Sequence, residues 1–224
     1  MSRRAEQKQQ SHSRLLDAAA ARLRAAGPAD TGVAGVMADA GLTHGGFYGH
    51  FAGKDEMLRA AFQHAMRQSR EAWFDGLEES RGAERLRWLA GRYLSARHRD
   101  RPEDGCALAS LAGDASRQAA DLNASFEAEL LQSLSRLSDG LDREGEPAEA
   151  EEIGDSAIAF LALCIGGLLT ARAVADPALS ERILRACRQL APRLASGDTV
   201  PPDGGLGADN ESRGHDAPDR GGNP

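Results

Sequence analysis

The sequence predicts an all-α protein, and three observations carry that prediction. The helix formers Ala, Leu, Arg and Glu dominate, while aromatic residues make up only 4% of the chain. Apolar residues recur at three- and four-residue spacing along most of the length, and no run alternates as a half-buried strand would. Gly27-Pro28, Gly41, Gly53 and Asp176-Pro177 punctuate those runs where helices should stop or start.

A first helix is predicted over Ser13 to Ala26, with Leu16, Ala19, Ala20 and Leu23 on one face. Gly27-Pro28 ends it, and Thr31 stands where the N-cap of a second helix belongs. Val33, Val36, Met37 and Ala40 form the apolar face of that short helix, which Gly41 closes. A third starts at Leu42-Thr43 and places Phe47 and Phe51 four apart. Gly53-Lys54-Asp55 then opens a long helix carrying Leu58, Phe62, Ala65, Met66 and Trp73.

Beyond Gly82, Leu86, Leu89, Ala90, Tyr93 and Leu94 make one stripe, and Leu122, Phe126, Leu130, Leu134, Leu137 and Leu141 a longer one. Ile153 to Leu169 is apolar on nearly every face, which predicts a central or interfacial helix. Asp176-Pro177 reads as an N-cap followed by a first-turn proline, and Leu179, Ile183, Cys187, Leu190 and Leu194 line a last helix. The division expected is a flexible basic arm at 1–12, a three-helix head at 13–60, a helical body at 61–196 and a disordered Gly/Pro/Asp-rich tail at 197–224. That tail holds seven glycines, four prolines and one leucine.

A chain of 224 residues, 41% apolar and 27% charged, has ample length to bury a core and is not mostly disordered. Three cysteines without close pairing exclude a disulfide scaffold and suit a reducing cytosol. The start, Met1-Ser2-Arg3-Arg4 running into Gln and Ser, has no apolar core of a secretory signal. The longest apolar run, Ala157 to Leu169, has 13 residues, short of the ~18–20 that span a bilayer. A soluble, cytoplasmic protein with no membrane partner is expected.

Net charge is −7, which taken alone argues against nucleic acid. Residues 1–70, however, hold ten Lys/Arg against six acids, a net +4, leaving −11 on the rest. A basic head on an acidic body suits a phosphate-binding module attached to something else.

Residues 31–58 have the layout of a helix-turn-helix, two short helices meeting at a glycine turn. With Phe47 and Phe51 on the buried side, Gly45, Gly46 and Gly49 point the other way, flanked by Tyr48, His44 and His50. No bulky side chain guards that face, so a DNA backbone or base edge has room to approach. The alternative is that the glycines let the helix pack closely on its own domain. Gly41, Thr43, Gly46, Phe47, Tyr48, His50, Phe51, Lys54 and Leu58 fall on a pattern by which residues 13–60 closely resemble the DNA-binding domain of TetR/AcrR-family regulators.

The resemblance implies a homodimer that sets two such helices in successive major grooves of a pseudo-palindromic double-stranded DNA operator, roughly 34–36 Å apart. Carried over by position, Thr43, His44, Gly45 and Gly46 would approach base edges. Tyr48, His50 and Lys54 would bond phosphates, and Thr31 would touch phosphate while capping the second helix. Arg3, Arg4 and Lys8 would add screened contacts from the arm. This chain departs from the pattern in having three glycines in the recognition helix, each costing about 1 kcal/mol relative to Ala. It also offers no Arg, Asn or Gln for a bidentate base contact, so phosphate positioning and DNA shape should carry more of the discrimination than direct readout.

Cys106 is the candidate effector or redox residue of the body. Asp104 is expected to cap a helix with Gly105 and Cys106 in its first turn, where helix polarity lowers a thiol's pKa. Arg99 and Arg101 push the same way, and Glu103 and Asp104 oppose them. The resemblance adds that some family members sense oxidants or electrophiles through a cysteine. The other reading is a small semi-buried side chain near an effector pocket. Cys164 and Cys187, on apolar stripes, are expected to be inert core.

His12, His44, His50, His64, His98 and His215 show no zinc-like spacing, so no metal and no cofactor is expected. Glu146, Glu149, Glu151, Glu152 and Asp155 suit a solvated helix start. Gly166-Gly167 suits either a close helix–helix contact in a dimer or a kink beside a cavity. No P-loop or nucleophile elbow is present, and Gly204-Gly205-Leu206-Gly207 has no strand and helix around it to make a nucleotide loop.

Together these features predict a homodimeric, ligand-responsive transcriptional repressor without catalytic residues. A small molecule, or thiol modification, would shift the heads and release the operator. Leu86, Trp88, Tyr93, Cys106, Leu111, Phe126 and Phe160 are candidate pocket residues, and the last two helices, about 150–175 and 177–196, the candidate dimer interface. The alternatives are a thiol-dependent enzyme centred on Cys106 and an all-α interaction module without DNA binding.

Overall fold

The computed structural model describes residues 2–117, 120–141 and 153–196, and among these it is helical throughout with no strand. The expected tail at 197–224, the acidic residues Glu146, Glu149, Glu151 and Glu152, and the side chain of Leu122 lie outside the described residues.

Helix α1 runs Arg3–Asp30 and so starts ten residues before the predicted Ser13. The Ser2 hydroxyl accepts from the Ala5 N–H at 3.4 Å, Glu6 sits in the first turn, and good helix formers fill the next. The stretch expected as a flexible basic arm is therefore helical from Arg3. It carries no apolar face, which is why periodicity missed it. Leu15, Ala19, Ala20 and Leu23 are buried.

Gly27 breaks α1 with φ +78°, as its place before Pro28 predicted, but Pro28 to Asp30 resume helical geometry for a further turn. Thr31 does not cap the second helix. Its hydroxyl donates to the Gly27 carbonyl at 2.7 Å, its side chain is fully buried, and Gly32 is the N-cap of α2 (Val33–Asp39). Gly41, at φ +66°, ends α2 by donating to Ala38 O while Leu42 N–H reaches Met37 O at 2.9 Å.

The next element, His44–Gly49, is a 3-10 helix rather than the expected α-helix, with Phe47 buried. Three glycines in six residues weaken α-helical propagation, and the tighter turn still turns Phe47 and Phe51 inward. Helix α3 (Lys54–Phe74) lies along α1 and is bound to it by Asp17, which accepts from Gln68 at 2.9 Å and pairs with His64 Nε2 at 2.7 Å.

The body comprises α4 (Gly82–Tyr93), α5 (Ala96–Asp100), α6 (Ala107–Ala115), α7 (Ala120–Ser138), α8 (Asp155–Ala173) and α9 (Pro177–Leu190). The predicted stripe Leu86, Leu89, Ala90 and Tyr93 is the buried face of α4. Asp176 caps α9 through the Ala178 N–H at 2.9 Å, with Pro177 in the first turn as predicted. Short helix α5 and a 3-10 turn at Pro102–Asp104 were not anticipated.

Helix α8 is long and apolar enough to cross a membrane, with mean hydropathy 1.8. Here one of its faces is core, with Phe160, Leu161, Cys164 and Leu168 buried against neighbouring helices, while Ile158 and Leu169 on the same helix are exposed. Gly167 sits where α8, α9 and α4 converge. A Cβ there would lie 2.7 Å from Cys187 Sγ and 3.1 Å from Leu94 Cδ2. The close approach expected of this glycine is thus made within the chain. Gly166 faces open space.

Candidate nucleic-acid interface and effector cavity

The head presents Thr43, His44, Gly45, Gly46 and Tyr48 as one exposed surface on the 3-10 element, with Tyr48 73% exposed. Phe47 and Phe51 hold that element from below, their rings 5.8 Å apart, and Phe47 meets Tyr48 edge-on at 5.3 Å. Cβ atoms added at Gly45 or Gly49 would meet nothing within 4 Å, and at Gly46 only Met37 Cε at 3.8 Å. Close packing on the protein's own domain therefore does not require these glycines. The face they leave is open to an outside partner.

Lys54, half-buried at the start of α3, donates from Nζ to Ala29 O at 3.2 Å, with two further N–H bonds free in direction. His50 is half-buried, its ring stacked 5.6 Å from that of His12. Burial, then the nearby His12 and Lys8, push its pKa down. Thr31 is sealed beneath the surface and is the one predicted DNA contact that the fold turns away from it. Arg22 and Asp39 form a two-pronged ion pair, Nη2 to Oδ1 at 3.1 Å, that fixes α2 against α1.

In the body, a cavity of about 520 Å³ opens between α3, α4, α5 and the turn leading into α6. Of the predicted pocket residues it contains Tyr93 and Cys106. Leu86, Leu111 and Phe160 are fully buried core, Phe126 stacks on Phe62, and Trp88 points outward, 55% exposed. Trp73, His98, Arg92 and Arg97, which sequence reasoning missed, line it instead.

Cys106 is the N-cap of α6, not a first-turn residue behind an Asp104 cap. Asp104 ends the preceding 3-10 turn and pairs with Arg101 at 2.8 Å. The Cys106 N–H donates to His98 Nε2 at 2.9 Å, and His98 Nδ1 donates to Tyr93 O at 2.7 Å. That bonding fixes the imidazole as neutral, and burial holds its pKa at about 4. Its one lone pair is taken by a backbone N–H, so it is not a base for the thiol, and the thiol-enzyme alternative loses its natural partner. Cys164 and Cys187 sit among apolar neighbours, and burial pushes both thiols up, as befits inert core. Among the described residues no group of three His, Cys, Asp or Glu side chains is placed to hold a metal.

The turn before α6 is held from three sides. Arg24 of α1, 8% exposed, donates to Glu103 O at 2.8 Å and to Gln68 Oε1 at 2.7 Å. Ser69 of α3 donates to Gly105 O at 3.1 Å, and His98 of α5 accepts from Cys106. One wall of the cavity is thereby tied directly to the first helix of the head.

Residues 15–61 match the family described as bacterial regulatory proteins, tetR family. No curated protein matches the chain by sequence. Among solved structures, a TetR transcriptional regulator from Chloroflexus aurantiacus superposes with TM-score 0.68 at 22% identity, covering 85% of this chain and 95% of that one. The regulator FadR from Bacillus subtilis, solved with stearoyl-CoA, gives 0.54 at 20% identity over 78% and 96%. AibR, solved with isovaleryl coenzyme A and operator DNA, gives 0.54 at 18% identity over 81% and 98%. Residues 15–61, the head, thus match the tetR family of bacterial regulatory proteins, and the chain as a whole has the fold of solved TetR-family transcriptional regulators.

Proposed function

We propose that the protein is a homodimeric transcriptional repressor, soluble in the cytoplasm, that leaves a pseudo-palindromic operator when a small molecule occupies the cavity beside Cys106. The observation that carries the DNA reading is the open glycine face of the 3-10 element, where Gly45 and Gly49 have no neighbour among the described residues to justify them. On this reading Thr43, His44, Gly45 and Gly46 approach base edges, and Tyr48, His50 and Lys54 bond phosphates. The exposed Ile158 and Leu169 of α8 and Leu179 and Leu190 of α9 supply an apolar surface for the second copy. Two structural neighbours hold acyl-CoA ligands, one of them together with operator DNA, which supports a ligand-responsive regulator.

Thiol modification is the second route to release, because Cys106 lines the same cavity. Fluorescence anisotropy on the protein's own upstream intergenic DNA tests the reading, against scrambled DNA at two salt concentrations. Selective binding that weakens with salt is expected. No salt-dependent affinity for any DNA would sink the DNA reading. Adding diamide and then dithiothreitol tests the thiol route, and release that persists in Cys106→Ser removes it.

A further inference from the structure

We infer that the cavity takes an amphipathic organic anion, a carboxylate on an apolar body. The inference rests on the reading of this cavity as the effector site and names the chemical class of its ligand.

The apolar part of the wall, Met66, Trp73, Leu108 and Leu161, matches a hydrocarbon or aromatic body. The polar part is unbalanced in one direction. Arg70 is neutralised by Glu129, and Arg101 by Asp104. Among the described residues Arg92 bonds only the backbone carbonyls of Trp73 and Asp75, at 3.0 and 2.6 Å, and Arg97 has no carboxylate partner. His98 is neutral. Both arginines are solvent-exposed, so the rim of the cavity carries two hydrated positive charges without counter-charges, which favours an anion over a cation there.

Tyr93 adds a separate demand. It is 3% exposed, and its hydroxyl, buried beside the Cys106 thiol, makes no hydrogen bond of ordinary geometry among the described residues. A buried unpaired hydroxyl is unfavourable, and an acceptor oxygen on a ligand relieves it. A carboxylate answers both demands. A neutral apolar molecule offers the hydroxyl no acceptor and gains nothing from the two hydrated guanidinium groups, and a quaternary ammonium adds repulsion.

The test uses the full chain with Trp88→Phe, a change at an exposed side chain outside the cavity, so that Trp73 is the remaining tryptophan. Its emission is titrated with decanoate, 2-naphthoate, decanol and decyltrimethylammonium. At least one acid is expected to give a saturable change, about tenfold tighter than decanol, and the ammonium none. Tyr93→Phe and Arg97→Gln should each weaken the acid about threefold and leave decanol unchanged. Tyr93→Phe keeps the buried ring and removes only the hydroxyl beside the Cys106 thiol, and circular dichroism checks that the variant is folded. Silence towards both acids, decanol or the ammonium binding as tightly as they do, or indifference to both substitutions overturns the inference. DNA affinity is read in parallel. An acid that binds at Trp73 without weakening DNA binding refutes the effector role while leaving the ligand class standing.

Discussion

Replacing Arg24 by Met should loosen the joint between head and body. The side chain is 8% exposed and donates to Glu103 O at 2.8 Å, Gln68 Oε1 at 2.7 Å and Ala65 O at 3.3 Å. Methionine keeps the length and the apolar stem, so packing survives and the three bonds go. Their loss is unequal. Ala65 O retains the Ser69 hydroxyl at 2.8 Å, whereas Glu103 O loses its guanidinium donor. Hydrogen bonds to a charged group contribute roughly 1.5–3 kcal/mol, and an orphaned buried acceptor costs about 1–3 kcal/mol. Against this, the substitution no longer buries a guanidinium whose Nε has no partner and whose pKa burial lowers. The balance is a destabilisation of about 2–3 kcal/mol. Urea unfolding followed by circular dichroism reads it as a lower midpoint with an unchanged slope. A loss below about 0.5 kcal/mol would refute the argument that this buried cation holds the two parts together.

Other substitutions separate stability from binding. Gly45→Ala with Gly49→Ala should leave thermal stability equal or raised by up to about 1 kcal/mol per site, yet weaken DNA binding about tenfold or more in anisotropy. Unchanged DNA affinity would contradict the open-face reading. Gly167→Ala should cost about 1–3 kcal/mol by driving a methyl into Cys187 and Leu94, while Gly166→Ala, facing open space, should be neutral or stabilising by about 0.5–1 kcal/mol. Equal effects at the two positions would be inconsistent with the packing described. His98 has its folded pKa depressed to about 4 by burial. Its stabilising share is present above the ordinary histidine pKa of about 6.5 and is lost as pH falls through 6.5 towards 4, on the order of 3 kcal/mol in all. Urea midpoints measured across that range should fall, and His98→Gln should flatten the fall. An unaltered slope in the variant would assign the effect to other groups.

The head was readable because short-range chemistry writes it. Gly41 must take a positive φ, Phe47 and Phe51 must share a face, and Gly45, Gly46 and Gly49 have no packing role to hide. Thr31 was misplaced because a threonine before a helix looks like a cap, while its hydroxyl is turned back to the carbonyl freed at the Gly27 break. The cavity was mostly illegible. Five-residue α5 has no period to detect, and the positions of His98, Arg92 and Arg97 around one space arise only when four elements meet. Arg24 and Arg85 were not singled out by the sequence, although both are buried. A signal existed for each. Arg24 follows buried Ala20 by four residues, and Arg85 precedes buried Leu89 by four, so both lie on core stripes.

The early start of α1 bears on the thermodynamics of meeting DNA. An arm that was random coil would surrender about 1–2 kcal/mol of backbone entropy for each residue it ordered against a phosphate. Here Arg3, Arg4 and Lys8 already ride on a rod extending about 14 Å from Arg3 to His12, whose ring leans on His50 at the end of the 3-10 element. Their backbone is already ordered before any ligand arrives, so attraction along that rod is gained with only side-chain ordering to subtract from it.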